Sequence, residues 1–188
     1  MKILITGGAG YLGSVITGKM LNVGHEVVVL DKLIFNQTSL LVYTSNPNFR
    51  FIHGDVRNES LFERLCNEAD AIIPLAAIVG FPACDAEPEL AEEINFNQIS
   101  NIVRFTKDKG KKILYPNTNS GYGIGVGQTE CTEESPLNPI SIYGKTKCHA
   151  EDLLKYPLQI EEDCDLLEAN DCDVVFIPEK NEMYLQSD

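Results

Sequence analysis

The sequence predicts an α/β fold, a doubly wound parallel sheet with helices on both faces. Three observations predict it. Strand-like and helix-like stretches alternate through residues 1–150. The strand-like runs are short, apolar and β-branched, as strands buried on both faces are. With 188 residues, 44% hydrophobic and 23% charged, the chain has the size and composition of one globular domain with a sizeable core.

The elements follow in order. Lys2–Thr6 is an apolar run ending in glycines and reads as the first strand. Tyr11–Asn22 reads as a helix stopped by Gly24. Glu26–Leu30, Glu-Val-Val-Val-Leu, is the second strand, and residues 38–45 form a short helix. Phe49–His53 is the third strand, Asn58–Cys66 a helix, and Ala71–Pro74 opens the fourth strand. A long helix over Pro88–Lys109 ends at Gly110, and Lys111–Tyr115 is the fifth strand. Ser141–Lys155 is the next helix, ended by Pro157. Beyond it come a helix over Ile160–Asn170 and a strand over Asp173–Ile177.

Composition removes several function classes. The net charge of −13 argues against a nucleic-acid partner. No apolar run approaches the length of a membrane span, and Met1–Ile5 breaks into glycine too soon for a signal peptide. The six cysteines form no Cys-x-x-Cys pair, and His25, His53 and His149 do not cluster, so no metal site is expected. Free thiols place the chain in a reducing cytoplasm. Charge is lopsided: residues 1–150 carry 16 acids and 13 bases, residues 151–188 carry 12 acids and 2 bases. That shift divides the chain into a domain over 1–150 and an acidic helix–strand tail over 151–188.

The first strand runs into Thr6-Gly-Gly-Ala-Gly-Tyr-Leu-Gly13, which contains Gly8-x-Gly10-x-x-Gly13 and Gly7-x-x-Gly10-x-x-Gly13. Glycines there allow a tight turn, backbone approach to a pyrophosphate and close packing of the helix on the strand. The helix N-terminus adds N–H groups and a partial positive charge. Asp31, 18 residues after Gly13, ends the second strand. A carboxylate there accepts both ribose hydroxyls and repels a 2′-phosphate, which selects NAD over NADP; Lys32 softens the preference. The pattern is that of a Rossmann-like dinucleotide site. Asp55-Val56 falls where an adenine edge would lie, and Leu75-Ala76-Ala77 ends the fourth strand, where small residues let a cofactor approach the backbone.

Tyr143-Gly-Lys-Thr-Lys147 places a tyrosine and a lysine four apart on one helix face. A free tyrosine titrates near ~10 and is a poor base at neutral pH. A neighbouring ammonium and an oxidised nicotinamide favour the phenolate, which can then take a proton from a substrate hydroxyl while hydride leaves the same carbon. The fifth strand ends in Tyr115-Pro-Asn-Thr-Asn-Ser-Gly-Tyr-Gly123, where Thr118 or Ser120 could hold the substrate oxygen.

Together these pieces resemble the extended short-chain dehydrogenase/reductase family, the NAD-dependent nucleotide-sugar epimerases and dehydratases. The resemblance spans residues 1 to about 150 and rests on Thr6–Gly13, Asp31, Asp55-Val56, Leu75-Ala76-Ala77, Asn95, Thr118–Gly123 and Tyr143 with Lys147. It implies NAD held by Gly7, Gly10, Tyr11, Leu12, Gly13, Asp31, Asp55, Val56, Leu75, Ala76, Ala77, Asn95, Tyr143 and Lys147. It implies catalysis by Thr118, Tyr143 and Lys147, with Ser120 as a second hydroxyl on the substrate side, and Lys147 also on the nicotinamide ribose. The family's 4,6-dehydratases carry Asp-Glu after the threonine; Asn119-Ser120 stands here, which favours an epimerase or a sugar dehydrogenase. As in the family, the helices over 88–109 and 141–155 could pair with a second copy as a homodimer.

Two departures qualify the resemblance. The substrate-binding lobe expected after residue 150 is missing, and Lys155 and Lys180 are the tail's sole bases for a sugar diphosphate. The tail resembles a segment of pantothenate synthetase, through Glu151–Pro157, Glu161–Glu168, Asp173–Pro178 and Glu182-Met-Tyr184. The jump in acidity reads as a fusion joined near Ala150–Leu154, with Asp173–Ile177 packing on the same sheet as a replacement strand. The alternative function is a truncated or fused NAD-binding remnant without turnover.

Overall fold

Alternate residues of the strands meet two different layers. In the computed structural model, which describes residues 1–123, 131–132 and 135–154, Ile3 and Ile5 of the first strand pack with Val27 and Val29 of the second on one face of the sheet. Leu4 packs with Val28 and Leu30 on the other. Both faces are therefore buried, which the uninterrupted apolar runs required.

The sheet has five parallel strands in the order β3-β2-β1-β4-β5. They are β1 (Lys2–Thr6), β2 (Glu26–Asp31), β3 (Phe49–His53), β4 (Ala71–Pro74) and β5 (Lys112–Ile113). Register pairs Thr6 of β1 with Leu30 of β2 and with Pro74 of β4. Chain order reverses at β1, so the C-terminal ends of β1, β2 and β4 open onto a common crevice, where such sheets bind ligands.

Helix α1 (Tyr11–Asn22) covers the first face through Leu21, with Ile16 and Met20 beside it. Three helices cover the second: α2 (Glu59–Glu68) with Phe62 and Leu65, α5 (Gln98–Thr106) with Ile99, Ile102 and Phe105, and α6 (Ile142–Leu154) with Ala150. Asn58 caps α2, its side chain accepting from the Leu61 N–H. Gly24, at φ +85°, turns the chain from α1 into β2.

Several details differ from the sequence expectation: β2 runs one residue further, to Asp31, α2 is shifted to Glu59–Glu68, and β4 ends at Pro74, which leaves Leu75–Ala77 in the loop after it. The expected helix over 38–45 is one 3₁₀ turn, Leu41–Tyr43. The fifth strand pairs over Lys112–Ile113 instead of Lys111–Tyr115. The long helix begins at Pro88 as expected but ends at Thr106, and it is not uniform: α4 (Pro88–Glu92) widens into a π turn over Glu93–Asn97 before α5. A further helix, α3 (Phe81–Ala86), precedes it. The chain divides into two units, Met1–Leu154 and Lys155–Asp188. The second lies outside the described residues, and with it Ile160–Asn170, Asp173–Ile177, Cys164, Cys172 and the expected packing of the tail on the sheet. None of the described helices is long and apolar enough to cross a membrane.

Candidate dinucleotide site

The turn after β1 is fixed by backbone contacts. The Gly7 N–H donates to Leu30 O at 2.9 Å and the Gly10 N–H to Gly7 O at 3.1 Å. Gly7 sits at φ +66°, and a Cβ there would meet Ala76 N at 2.5 Å. A Cβ on Gly13 would meet Gly7 O at 2.6 Å. These two positions exclude any side chain. Gly10 faces open space except for Gly7 O at 3.3 Å, so the loop presents bare backbone where a pyrophosphate would approach.

Asp31 closes the turn. Its Oδ2 accepts the Ala9 N–H at 2.9 Å and its Oδ1 the Leu33 N–H at 2.8 Å. A carboxylate has about four acceptor sites, so capacity remains for ribose hydroxyls. Leu33 sits at φ +53°, a left-handed conformation costing about 1 kcal/mol. The Asp55 carboxylate is clasped by Arg57, with Nη2 at 2.8 Å, and by Lys32 Nζ at 3.0 Å. The Arg57 guanidinium holds it well below the usual carboxylate range.

These groups surround a cavity of about 680 Å³, within the range of cofactor sites. Gly7, Gly10, Tyr11, Leu12, Gly13, Asp31, Asp55, Val56, Leu75, Ala76, Ala77, Tyr143 and Lys147 all line it. Of the expected site residues, Asn95, Thr118 and Ser120 are absent from the wall. Asn95 is buried in the π turn, where its Oδ1 accepts the Ile78 N–H at 2.8 Å and its Nδ2 donates to Ile78 O at 3.0 Å. It braces the loop after β4 from behind. Thr118 Oγ1 lies 3.2 Å from Ser120 Oγ and accepts the Ser120 N–H.

Tyr143 and Lys147 both line the cavity, in different surroundings. Burial pushes the Tyr143 phenol upward, Cys84 adds to that, and the Thr118 hydroxyl works against it. Lys147 is buried, and its Nζ donates to Pro116 O at 2.7 Å while lying 3.9 Å from the Tyr115 ring centroid. Desolvation lowers its pKa to about 8. The chain alone therefore holds Tyr143 as a neutral phenol. The expected lowering needs a further positive charge in the cavity, of the kind an oxidised nicotinamide carries.

Several contributors escaped the sequence reading. Gln98, buried, accepts from Thr6 Oγ1 at 2.6 Å and donates to Ala76 O at 2.9 Å, tying β1 to the loop after β4. Its signal was a polar side chain on the same helix face as Ile99 and Ile102. Cys84 donates to Ile78 O at 3.2 Å, and Phe35 and Gln37 join the cavity wall beyond Asp31. Burial pushes the Cys66 thiol up to about 12.

Comparison with known proteins agrees with this geometry. The NAD dependent epimerase/dehydratase family matches residues 3–159, and the pantoate-beta-alanine ligase family matches residues 138–187. A UDP-glucose 4-epimerase of Lactobacillus helveticus is 29% identical over 159 residues, 83% of this chain and 47% of that protein. The UDP-glucose 4-epimerase of Thermotoga maritima, solved with UDP-glucose, superposes with TM-score 0.73 at 28% identity, over 82% of this chain and 50% of that one. The dTDP-glucose 4,6-dehydratase DesIV of Streptomyces venezuelae, solved with NAD bound, gives TM-score 0.74 at 30% identity, over 81% and 50%. The chain thus spans about half the length of these proteins. By its strand order, its glycine turn and the family match over most of its length, the chain belongs to the NAD dependent epimerase/dehydratase family.

Proposed function

We propose that this chain binds NAD and serves epimerisation or dehydrogenation of a nucleotide-sugar. The observation that carries the reading is that the glycine turn, Asp31, Tyr143 and Lys147 line the same cavity. Residues fit the cofactor along its length: bare backbone for the pyrophosphate, Asp31 for the ribose, Leu75–Ala77 for close backbone approach, and Lys147 for the second ribose. Bound there, NAD would supply the hydride acceptor.

Tyr143 would take the proton of the sugar hydroxyl, with Thr118 beside it to orient the substrate oxygen. Lys147, a cation over most of the neutral range, would favour the phenolate. In an epimerase the hydride returns to the opposite face of the ketosugar; in a dehydrogenase it does not. Asn119-Ser120 offers no carboxyl pair for eliminating water, which sets this chain apart from the 4,6-dehydratases among its relatives.

A second reading, NAD binding without turnover, is favoured by the match of residues 138–187 to a different family, pantoate-beta-alanine ligase. Calorimetric titration with NAD separates the outcomes, using the whole chain beside Gly10→Val and Tyr143→Phe. Binding that is lost in the glycine variant and kept in the tyrosine one supports the dinucleotide site. NADH formed with a nucleotide-sugar, and lost with Tyr143→Phe, supports the enzyme. No binding at millimolar NAD overturns both readings.

A further inference from the structure

The adenosine end of the cavity carries more charge than a ribose needs. Asp31 and Lys32 lie side by side at the end of β2, and Asp55 and Arg57 face them from the end of β3, all four on the cavity wall. Asp31 is held by backbone N–H groups. The two cations are held by Asp55: Lys32 Nζ lies 3.0 Å from its Oδ2, and Arg57 meets both of its oxygens, through Nη2 at 2.8 Å and Nε at 3.1 Å and 3.2 Å. Arg57 Nη1 also reaches Glu93 at 3.0 Å, whereas Lys32 pairs with Asp55. Lys32 keeps 53% of its side chain exposed, so it is free to swing once released.

A lysine and an arginine beside the adenosine ribose are the groups that bind a 2′-phosphate. Here a carboxylate occupies them first. We propose that Asp55 is a specificity-determining residue: by clasping Lys32 and Arg57 it withholds both from a 2′-phosphate and enforces NAD over NADP, a task otherwise left to Asp31 alone. A phosphate entering this corner meets two carboxylates, and both cations beside it are already paired. The inference rests on the cavity being a dinucleotide site.

The test compares binding of NADH and NADPH by the whole chain, followed by nicotinamide fluorescence, in the wild type, Asp55→Asn, and Asp55→Asn with Lys32→Ala. Both ligands carry the same adenine, so any weakening of its hold in Asp55→Asn affects them alike, and the readout is the ratio of the two dissociation constants. Asp55→Asn is expected to move the ratio about tenfold toward NADPH, the scale of one freed charge near a phosphate. Adding Lys32→Ala is expected to reverse most of that shift. Lys32→Ala in the wild-type background is expected to leave the ratio unchanged, because the ammonium is already occupied; this variant decides the matter if Asp55→Asn does not fold. An unchanged ratio in Asp55→Asn, or a marked loss of NADPH binding in Lys32→Ala alone, overturns the inference while NADH binding persists. Absence of NADH binding throughout overturns the dinucleotide reading itself, and the inference with it.

Discussion

At the glycine-turn end of the cavity, backbone contacts set the geometry. Gly7 and Gly13 pack against main-chain atoms at distances no Cβ could share, and Asp31 is pinned by two N–H groups. At the Tyr143 end the geometry depends on side chains. The loop after β4 is braced by Asn95 and Gln98, and Lys147 is anchored on Pro116 O. The first end presents the bare backbone that the proposed pyrophosphate contact needs. At the second, burial pushes the tyrosine phenol upward, and its proposed role as a base would call for added positive charge. The proposed binding and the proposed reactivity thus rest on different groups within one cavity.

The sharpest separation comes from Tyr143→Phe. If Tyr143 is the base, this change lowers turnover by about 10²–10⁴-fold and leaves NAD affinity within a few-fold, as steady-state rates and calorimetry would show. A parallel loss of affinity would mean that the two ends are not separable. Gly7→Ala attacks the other end. A methyl group 2.5 Å from Ala76 N, at φ +66°, must displace the loop after β4. The expected cost is about 3 kcal/mol of stability, measured by denaturant unfolding, with NAD binding lost. Stability near that of the wild type would show the turn to be more pliant than its contacts imply.

Legibility in the sequence followed the same division. The βαβ unit was readable because its rules are steric and local: glycine where no Cβ fits, an acid at the end of β2, apolar runs where both faces are covered. Strands β1 and β3 and helix α1 appear with the expected bounds. The residues expected along the glycine turn and at Asp31 and Asp55 meet on one wall. The π turn at Asn95 was not readable, because periodicity assumes a uniform helix, and a widened turn serves a contact distant in sequence, here Ile78. Nor was the state of Tyr143, since a four-residue spacing places two side chains on one face without saying where either head group turns. Asp55 was noticed for its position, while its grip on Lys32 and Arg57 needed β2 and β3 side by side.

Asn95→Ala tests the bracing with a smaller effect. It leaves the Ile78 N–H without its partner in a part-buried position, while the Ile78 C=O keeps the Cys84 thiol. The expected destabilisation is about 2 kcal/mol, read by thermal unfolding, and the loss in turnover should exceed the loss in NAD affinity. Equal losses would place Asn95 with the cofactor-binding residues instead of behind them.

The smallest effect concerns Lys147 and is read from pH. Its pKa falls from 10.5 to about 8 on folding, through desolvation. Below pH 8 both the folded and the unfolded chain carry the proton, and the full penalty of burying the ammonium is present. Between pH 8 and 10.5 the unfolded chain binds more protons, so the Lys147 contribution to stability improves as pH rises. Lys147→Met removes this slope. The substitution also removes the donor to Pro116 O and the cation over the Tyr115 ring, worth about 1 kcal/mol each, so net stability at pH 7 should stay within about 1 kcal/mol of the wild type. The measurement is the difference in unfolding free energy between the two proteins from pH 7 to 10.5. A difference that grows in favour of the wild type over that span supports a desolvated ammonium at the reactive end. A flat difference means that water reaches Lys147, and the contrast between the two ends of the cavity then rests on Tyr143 alone.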